Sequence, residues 1–526
     1  MSKLEFSHLS KYTEDLFLCA RCGDCSLADK TVASNRDVFH PCAVKNVLGF
    51  EAYTARGRIM IMNDLINGEL SLGEDVVDWA YTCTTCRNCQ ETCTATAEGI
   101  HLPEMMEALR RDLFERGYTM DKHKVIEESI RNENNPYNEL ASSRLDLFGE
   151  RDWPEKAEVV YFVGCTGSYR DKQIALDTVK LLDKMHVDFT LISDEKCCGS
   201  VLLRLGHTDA FVGLTKDNIE SIKETGAKTL VTACAGCFRT WKVDVPAENL
   251  DYQFEVLHIT EYLDRLVRND KIAFKAPKPM KVTYHDPCHL GRHAEVYEAP
   301  RRVIEAVENI ELVEMETNKR YAHCCGSGGG VKSSYGDLAD EISADRIEEA
   351  LETGAEMLIT ACPFCHRGLE DGAKYSGRDL PVLDLPSFLL PYVKDSKKKK
   401  ESKDNPLKRQ FMDYLAEHPL IFEGLKKEAV IDYEIGKERF HVEVVGKNKI
   451  EVRPIRAENP DVVLTFSSKA VEKLTTFASE DDYAAQFGLF FKEPTDDEWI
   501  RFDLRRNIVK LLMKGYRKFA QKAGLI

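Results

Sequence analysis

The sequence predicts a multidomain α/β protein, in which a helical cysteine-rich region precedes two tandem α/β repeats and a C-terminal α+β domain. Three observations predict it. The segment ETGAKTLVTACAGC at 224–237 returns as ETGAEMLITACPFC at 352–365, an offset of 128 residues, and a repeat of long period marks duplicated structural units. Within each copy, short β-branched runs alternate with helical patterns, as parallel α/β units require. All eighteen cysteines fall into spaced groups and none lies beyond Cys365, which sets the rest of the chain apart.

Residues 1–150 carry helix-favouring stretches such as LPEMMEALRRDLFERG beside two tight cysteine groups, and are expected to form a small helical cluster-binding domain. The first repeat is placed at 155–275, where VVYFV (159–163), FTLIS (189–193) and TLVTA (229–233) read as strands and Ala175, Val179 and Leu182 share one helical face. The second is placed at 278–393. The charge run DSKKKKESKD then breaks the pattern, so 394–405 is read as a solvated linker, with a basic contact to anionic lipid as the alternative. In the last domain, 406–526, ERFHVEVV and KIEVRP read as a hairpin. Residues 497–524 read as one long amphipathic helix, since Ile500, Leu504, Ile508 and Leu511 recur at helical spacing.

A chain of 526 residues exceeds one compact core and suggests about three or four domains. With 43% hydrophobic and 30% charged residues it has the composition of a folded protein. The formal net charge of −16 argues against a nucleic-acid partner, which needs a basic face. No stretch approaches the roughly 18 apolar residues of a membrane span, and MSKLEFSHLSKYTEDL lacks the apolar core of a signal peptide. A cytoplasmic protein is expected, with membrane contact only through a partner or the lysine-rich linker. The cytosol keeps thiols reduced, so the cysteines are expected to hold metal rather than pair.

Cys83, Cys86, Cys89 and Cys93 have the x2, x2, x3 spacing of ferredoxins, where three thiolates grip one [4Fe–4S] cube and the fourth serves its neighbour. A structural zinc site is the alternative; Thr94 stands where proline is usual. Cys19, Cys22 and Cys25 repeat the triplet, with their fourth partner displaced to Cys42. Exchange between two cubes then groups Cys19, Cys22, Cys25 and Cys93 around one cubane cluster, and Cys42, Cys83, Cys86 and Cys89 around the other. The first domain is therefore read as a helical, two-cluster, ferredoxin-type domain.

The downstream groups are Cys165, Cys197, Cys198, Cys234 and Cys237, then Cys288, Cys324, Cys325, Cys362 and Cys365. In the first repeat the cysteines follow predicted strands, and ligands in open α/β sheets gather at the strands' carboxyl ends, so separated positions converge. Five thiols exceed what a cube uses. The adjacent pairs suggest a bridging thiolate in an opened cluster, the alternative being one cube per repeat plus a spare buried thiol.

The pattern C-x31-CCG-x34-C-x2-C at 165–237, with the same order at 288–365, resembles the cysteine-rich CCG domain of heterodisulfide reductase catalytic subunits. The order of a two-cluster domain followed by two such repeats resembles the D-type subunit of the membrane-linked enzyme, and also the iron–sulfur subunits of glycolate and lactate oxidases. The resemblance covers about residues 10–393. It implies that each complete pentad binds a noncubane [4Fe–4S] cluster and that a disulfide is cleaved between the two. It also implies an electron-donating protein partner, a flavoprotein or b-type cytochrome, and a small disulfide or thiol substrate. The rival reading is an iron–sulfur subunit of a 2-hydroxy-acid or acyl-CoA oxidising complex passing electrons toward quinone; a third is a pure electron-transfer scaffold. In the last domain DVVLTFSSKAVEKL resembles a sterol-carrier-type domain.

GSGGGVKS at 326–333 lacks the glycine of a phosphate loop where Val331 stands, and no G-x-G-x-x-G follows a strand, so flavin or nicotinamide is assigned to a partner. His285, His289, His323 and His366 crowd the second repeat. Cleaving a disulfide yields thiolates that need protons, and histidine titrates in the right range. His289 and His323 are the candidate catalytic proton donors, with hydrogen-bonded core histidines as the alternative. Arg204, Arg292 and Lys332 are candidates to hold an anionic substrate or to lie solvated at the surface.

Overall fold

The apolar spacing and capping of the first 150 residues produce helices, as their composition requires. The structure, a computed structural model, describes residues 6–29, 38–96, 99–269, 271–394, 406–436, 438–457, 459–506 and 508–522. Helix α1 (Ala55–Asn67) starts at Thr54, whose hydroxyl accepts from the Gly57 amide, and buries Ile59, Met62 and Leu65. These pack with Val76, Val77 and Ala80 of α2 (Glu74–Tyr81) and with Met105, Met106 and Leu109 of α3 (Leu102–Phe114). Helix α4 (Asp121–Glu133) follows. The cysteine loops lie at the margins of this helical core.

Each repeat folds as a four-stranded, wholly parallel sheet. In the first, β1 (Val159–Phe162), β2 (Phe189–Thr190), β3 (Thr229–Thr232) and β4 (Glu255–His258) lie in the order β2-β1-β3-β4, with Val159 opposite Phe189 on one side and Thr229 on the other. Helix α5 (Lys172–Lys184), between β1 and β2, buries Ala175, Val179 and Leu182, the three predicted to share a face. In the second repeat, β5 (Phe274–Tyr284), β6 (Val307–Leu312), β7 (Met357–Thr360) and β8 (Val382–Asp384) lie in the order β8-β7-β5-β6. Read from either edge this is the same topology, with helices α6 (Gly336–Glu352) and α7 (Pro363–Tyr375) flanking β7. FTLIS forms a strand only at Phe189 and Thr190.

The chain divides into two compact units, one of residues 1–265 and 273–395, the other of 266–272 and 396–526. The first unit therefore holds the N-terminal helices and both parallel sheets. The expected linker lies, apart from Lys394, outside the described residues.

In the second unit, α8 (Pro406–Glu417) covers a sheet of β9 (Val430–Ile435), β10 (Glu438–Gly446), β11 (Lys449–Arg453), β12 (Val462–Phe466) and β13 (Ile500–Leu504), in the order β11-β10-β9-β12-β13. Only the β9–β12 pairing is parallel. Strands β10 and β11 form the predicted hairpin. At the centre of the core Tyr433 stacks on Phe440 and Phe466 and Phe411 meets all three edge-on, with ring centroids 4.9–5.7 Å apart. The expected single helix over 497–524 is corrected: Ile500–Leu504 is a strand, followed by α10 (Ile508–Met513) and α11 (Tyr516–Lys522), after α9 (Glu480–Lys492). A spacing of four between Ile500 and Leu504 fits both periods. The alternation Ile500, Arg501, Phe502, Asp503, Leu504 is the period of two that decides it.

Candidate functional site: thiols of two repeats around one cavity

The thiols are arranged by the same local device in both repeats. After each cysteine pair the chain turns through a left-handed glycine, Gly199 and Gly326, both with φ +78°. The turn lets the Gly199 amide donate to Cys197 Sγ and the Gly326 amide to Cys324 Sγ, each at 3.4 Å. A Cβ at Gly199 would meet the Phe211 ring at 2.5 Å, and one at Gly326 the Ala339 carbonyl oxygen at 2.5 Å. Glycine in the motif is a steric requirement.

Cys165 follows β1, Cys234 follows β3 and Cys362 follows β7. They converge, with Cys197, Cys198, Cys237, Cys288, Cys325 and Cys365, on one cavity of about 300 Å³. Both repeats therefore contribute thiols to a single space. Cys325 and Cys365 approach to 3.3 Å. The tenth thiol, Cys324, is turned toward the N-terminal domain, 3.5 Å from Thr84 Oγ1 and in side-chain hydrogen-bond contact with Cys86.

The N-terminal cysteines gather at two further sites. Cys19, Cys22, Cys25 and Cys93 surround one small cavity, and Cys42, Cys83 and Cys86 another; Cys89 borders both. Cys22 is exposed, whereas the first-repeat pentad is buried. The thiol groups thus run in order from the surface at Cys22, past Cys89, to Cys86 and Cys324 and into the large cavity. Arg292 fixes the junction by donating to the Cys86 carbonyl (2.6 Å) and the Ala322 carbonyl (2.6 Å). Arg110 ties the Cys83 carbonyl (2.7 Å) to the Gly329 carbonyl (3.0 Å).

Every cysteine is unpaired by disulfide. Burial pushes the Cys25 thiol up to about 11 and the Cys42 thiol up to about 12, and raises Cys165 and Cys288 as well. A buried thiol in such surroundings is ionised by a metal rather than by water. Eighteen soft donors in three groups, nine of them facing one cavity, fit iron–sulfur clusters.

Around the cavity the structure places residues of unlike reach. His289 lines it, accepts from Arg239 Nη1 at 3.2 Å, and is pushed down to about 3 by burial and then by the Arg204 charge. His323 does not line it: it bridges Glu349 (3.1 Å) and the His40 carbonyl (3.2 Å) and stacks on Phe39. His366 pairs with Asp171 at 2.6 Å, across the two repeats. His285 sits with Cys325 and Cys365, the three ligand atoms within 4.8 Å of one another. Arg204 lines the cavity, pairs with Asp244 (2.7 Å) and Glu107 (3.2 Å), and has its buried Nη1 without a hydrogen-bond partner. Lys332 is paired with Asp340 and Asp371, and Arg292 is the clamp described above.

Sequence reasoning missed Arg144. It is 2% exposed, pairs with Glu195 at 2.8 Å and donates to Cys165 Sγ at 3.3 Å. No local signal distinguishes it, since 51 residues separate it from Glu195.

The cysteine-rich CCG domain family matches residues 159–242 and 282–370. The D-type subunit of dihydromethanophenazine:CoB–CoM heterodisulfide reductase from Methanosarcina acetivorans is 37% identical over 391 residues, covering 70% of this chain and 92% of that protein. The chain belongs to the CCG-domain iron–sulfur family. A probable iron–sulfur-binding oxidoreductase, FadF, of Bacillus subtilis is 31% identical over 59% of this chain and 45% of that protein. EtfAB:quinone oxidoreductase of Syntrophomonas wolfei is 31% identical over 68% of this chain and 55% of that protein. As a CCG-domain protein the chain is an iron–sulfur oxidoreductase subunit that works with protein partners. Among the described residues no helix is long and apolar enough to cross a membrane.

Proposed function

We propose that this CCG-domain protein is a heterodisulfide-reductase-like subunit that reduces a small disulfide in the cavity between its two repeats. The observation that carries the proposal is the single cavity of about 300 Å³ to which both pentads contribute thiols. In this reading Cys19, Cys22, Cys25 and Cys93, and Cys42, Cys83, Cys86 and Cys89, hold two cubane [4Fe–4S] clusters. Cys165, Cys197, Cys198, Cys234 and Cys237, and Cys288, Cys324, Cys325, Cys362 and Cys365, hold two noncubane ones. Bound there, the clusters would supply single-electron carriers that divide a two-electron reduction into two steps. The surface position of Cys22 supports docking of the electron-donating partner, flavoprotein or b-type cytochrome, at that end.

The protein's own residues would bind the substrate and shield it. The unpartnered Nη1 of Arg204 offers a charge-assisted hydrogen bond to an anionic group. His289, held neutral by burial with Nε2 accepting from Arg239, would donate a hydrogen bond from Nδ1–H to a departing thiolate, the guanidinium of Arg239 fixing the ring. His323, outside the cavity, has its role in holding the cysteine pair against the N-terminal domain.

A second reading, an iron–sulfur subunit of a hydroxy-acid or acyl-CoA oxidising complex that passes electrons toward quinone, draws on the similarity to EtfAB:quinone oxidoreductase. For the second unit, the strand order supports the sterol-carrier-like fold. Its cavity between Tyr433, Tyr483 and Phe487 is about 10 Å³, room for one water and not a lipid, so the likeness is to fold and not to carriage.

The deciding experiment is anaerobic purification followed by iron analysis and disulfide turnover with an artificial donor. About sixteen irons per chain, four clusters of four, with disulfide-dependent oxidation of the reduced protein, is the expected result. Eight irons, zinc in their place, or reduced clusters indifferent to every disulfide offered would overturn it.

A further inference from the structure

The second unit carries an apolar surface that the proposed redox chemistry does not use. Six of its large apolar side chains exposed among the described residues, Leu489, Phe502, Leu504, Val509, Leu512 and Met513, lie within one stretch of 25 residues. They sit on three consecutive elements, α9, β13 and α10. On α10 the reason is geometric: Leu511 enters the core, whereas Val509, Leu512 and Met513, at positions i, i+3 and i+4, share the opposite face. They are 63%, 52% and 67% exposed. On β13, Ile500 is buried while Phe502 and Leu504 continue the same strand face beyond the cover of the core, Phe502 resting on Phe491.

The charge around this face is one-sided. From Ile500 to the last residue there are eight Lys and Arg against the single acid Asp503, in a chain whose net charge is −16. Neighbouring acids answer only part of the surplus, Glu423 among them, which pairs with Lys522 at 2.8 Å. Asp503 pairs with Arg505 at 2.7 Å, and the one buried carboxylate of Asp461 serves both Arg506 (3.6 Å) and Lys514 (2.9 Å). The acidic turn before Trp499 lies at the other end of β13, where Asp497 and Glu498 pair with Lys469 and Lys473. At the Leu504 end, apolar side chains are thus ringed by cations, and Arg517 and Lys518 extend the ring as exposed residues.

We propose that the face formed by Leu504, Val509, Leu512 and Met513 is a docking surface for an anionic phospholipid bilayer, seating the second unit on the membrane without crossing it. Exposed aliphatic side chains on one face of a helix, set among Lys and Arg, match what interfacial attachment requires. The apolar groups enter the headgroup boundary while the cations attract anionic lipid. The long stems of the lysines and arginines keep their charges at the headgroups as the apolar face sinks. Charge complementarity selects this occupant over an apolar protein groove.

Full-length protein is sedimented with vesicles of phosphatidylglycerol mixed into phosphatidylcholine, and with vesicles of phosphatidylcholine alone. The expected result is binding to the anionic vesicles only, weakened by salt. Leu512→Glu/Met513→Glu should weaken that binding at least about tenfold, because each buried side chain is worth more than the roughly 1.4 kcal/mol of a tenfold change. Arg517→Glu/Lys518→Glu should weaken it and flatten its salt dependence. All four positions are exposed, so circular dichroism and cluster absorption should be unchanged. Failure of the wild-type protein to bind anionic vesicles, equal binding to neutral ones, or an undiminished Leu512→Glu/Met513→Glu variant would overturn the proposal. A dimer that forms without vesicles and is lost in that variant would instead make the face a contact between copies of the chain.

Discussion

The thiols of Cys234 and Cys362, which hold the same position in the two repeats, meet in side-chain hydrogen-bond contact. Both follow the third strand of their sheets, β3 and β7, so identical topology brings equivalent thiols to one boundary. Replacement of either by Ser exchanges a soft thiolate for a harder, poorer iron ligand. Cys234→Ser and Cys362→Ser should each cost about four of sixteen irons and lower disulfide turnover by more than roughly 100-fold, beyond what outer-shell changes cause. Reduction of the N-terminal clusters by an artificial donor should persist, whereas Cys86→Ser should block electron entry. Electron paramagnetic resonance with parallel turnover assays separates these effects. Full turnover in Cys362→Ser would make the second pentad dispensable.

The two motif glycines should not tolerate alanine equally. Each substitution places a side chain at φ +78°, which costs about 1–3 kcal/mol. At Gly199 the new Cβ meets a ring that can turn, but at Gly326 it meets backbone. Gly326→Ala should therefore lower the melting temperature more than Gly199→Ala, and each should lose its own cluster while keeping the other. Equal stability of both variants to wild type would refute the steric reading of the motif.

Much of this arrangement was legible because the cysteines are few per strand and fall at strand ends. The duplicated ETGA segments share their offset with β3 and β7, and the CCG pairs mark the left-handed turns directly. Contacts made at long range left no local trace. Arg144 reaches Cys165 from outside the repeat, His285 reaches Cys325 and Cys365 from 40 and 80 residues away, and residues 266–272 leave the first unit for the second. The helix expected at 497–524 failed for a different reason: apolar residues four apart satisfy both the helical and the strand period, and only the intervening Phe502 tells them apart.

Arg144 and Glu195 form a buried pair, and Glu195 also accepts from the Val163 and Gly164 amides at 2.8 and 2.9 Å. Removing the cation leaves a carboxylate in a site that burial already makes unfavourable for charge. Arg144→Met should cost about 3–5 kcal/mol and loosen the cluster at Cys165, which loses a hydrogen-bond donor. Arg144→Met/Glu195→Gln should recover part of the stability in urea unfolding but not the cluster's spectrum. Equal recovery of both would assign Arg144 a purely structural role.

Acid should destabilise the first unit through two buried histidines, His123 and His207. Burial pushes His123 down to about 4, and does the same to His207. His123 lies between the Gly330 carbonyl (3.2 Å) and Ser334 (3.0 Å), and His207 stacks on Phe114 at 3.8 Å. Neither has room for a solvated charge. Unfolded histidine binds a proton near pH 6.5, whereas these two in the fold do so only near 4. Between those values the unfolded chain holds more protons, so stability falls as pH falls. From pH 7.5 to 5.5 the loss should be about 1.4 kcal/mol per histidine, reaching its limit below pH 4. His207→Phe keeps the stacking and removes the titration. Its urea midpoint should depend on pH less steeply than that of the wild type, by the share of one histidine. An unchanged slope would show that His207 does not carry the acid sensitivity, and that the ring is protonated in the fold as readily as in the unfolded chain.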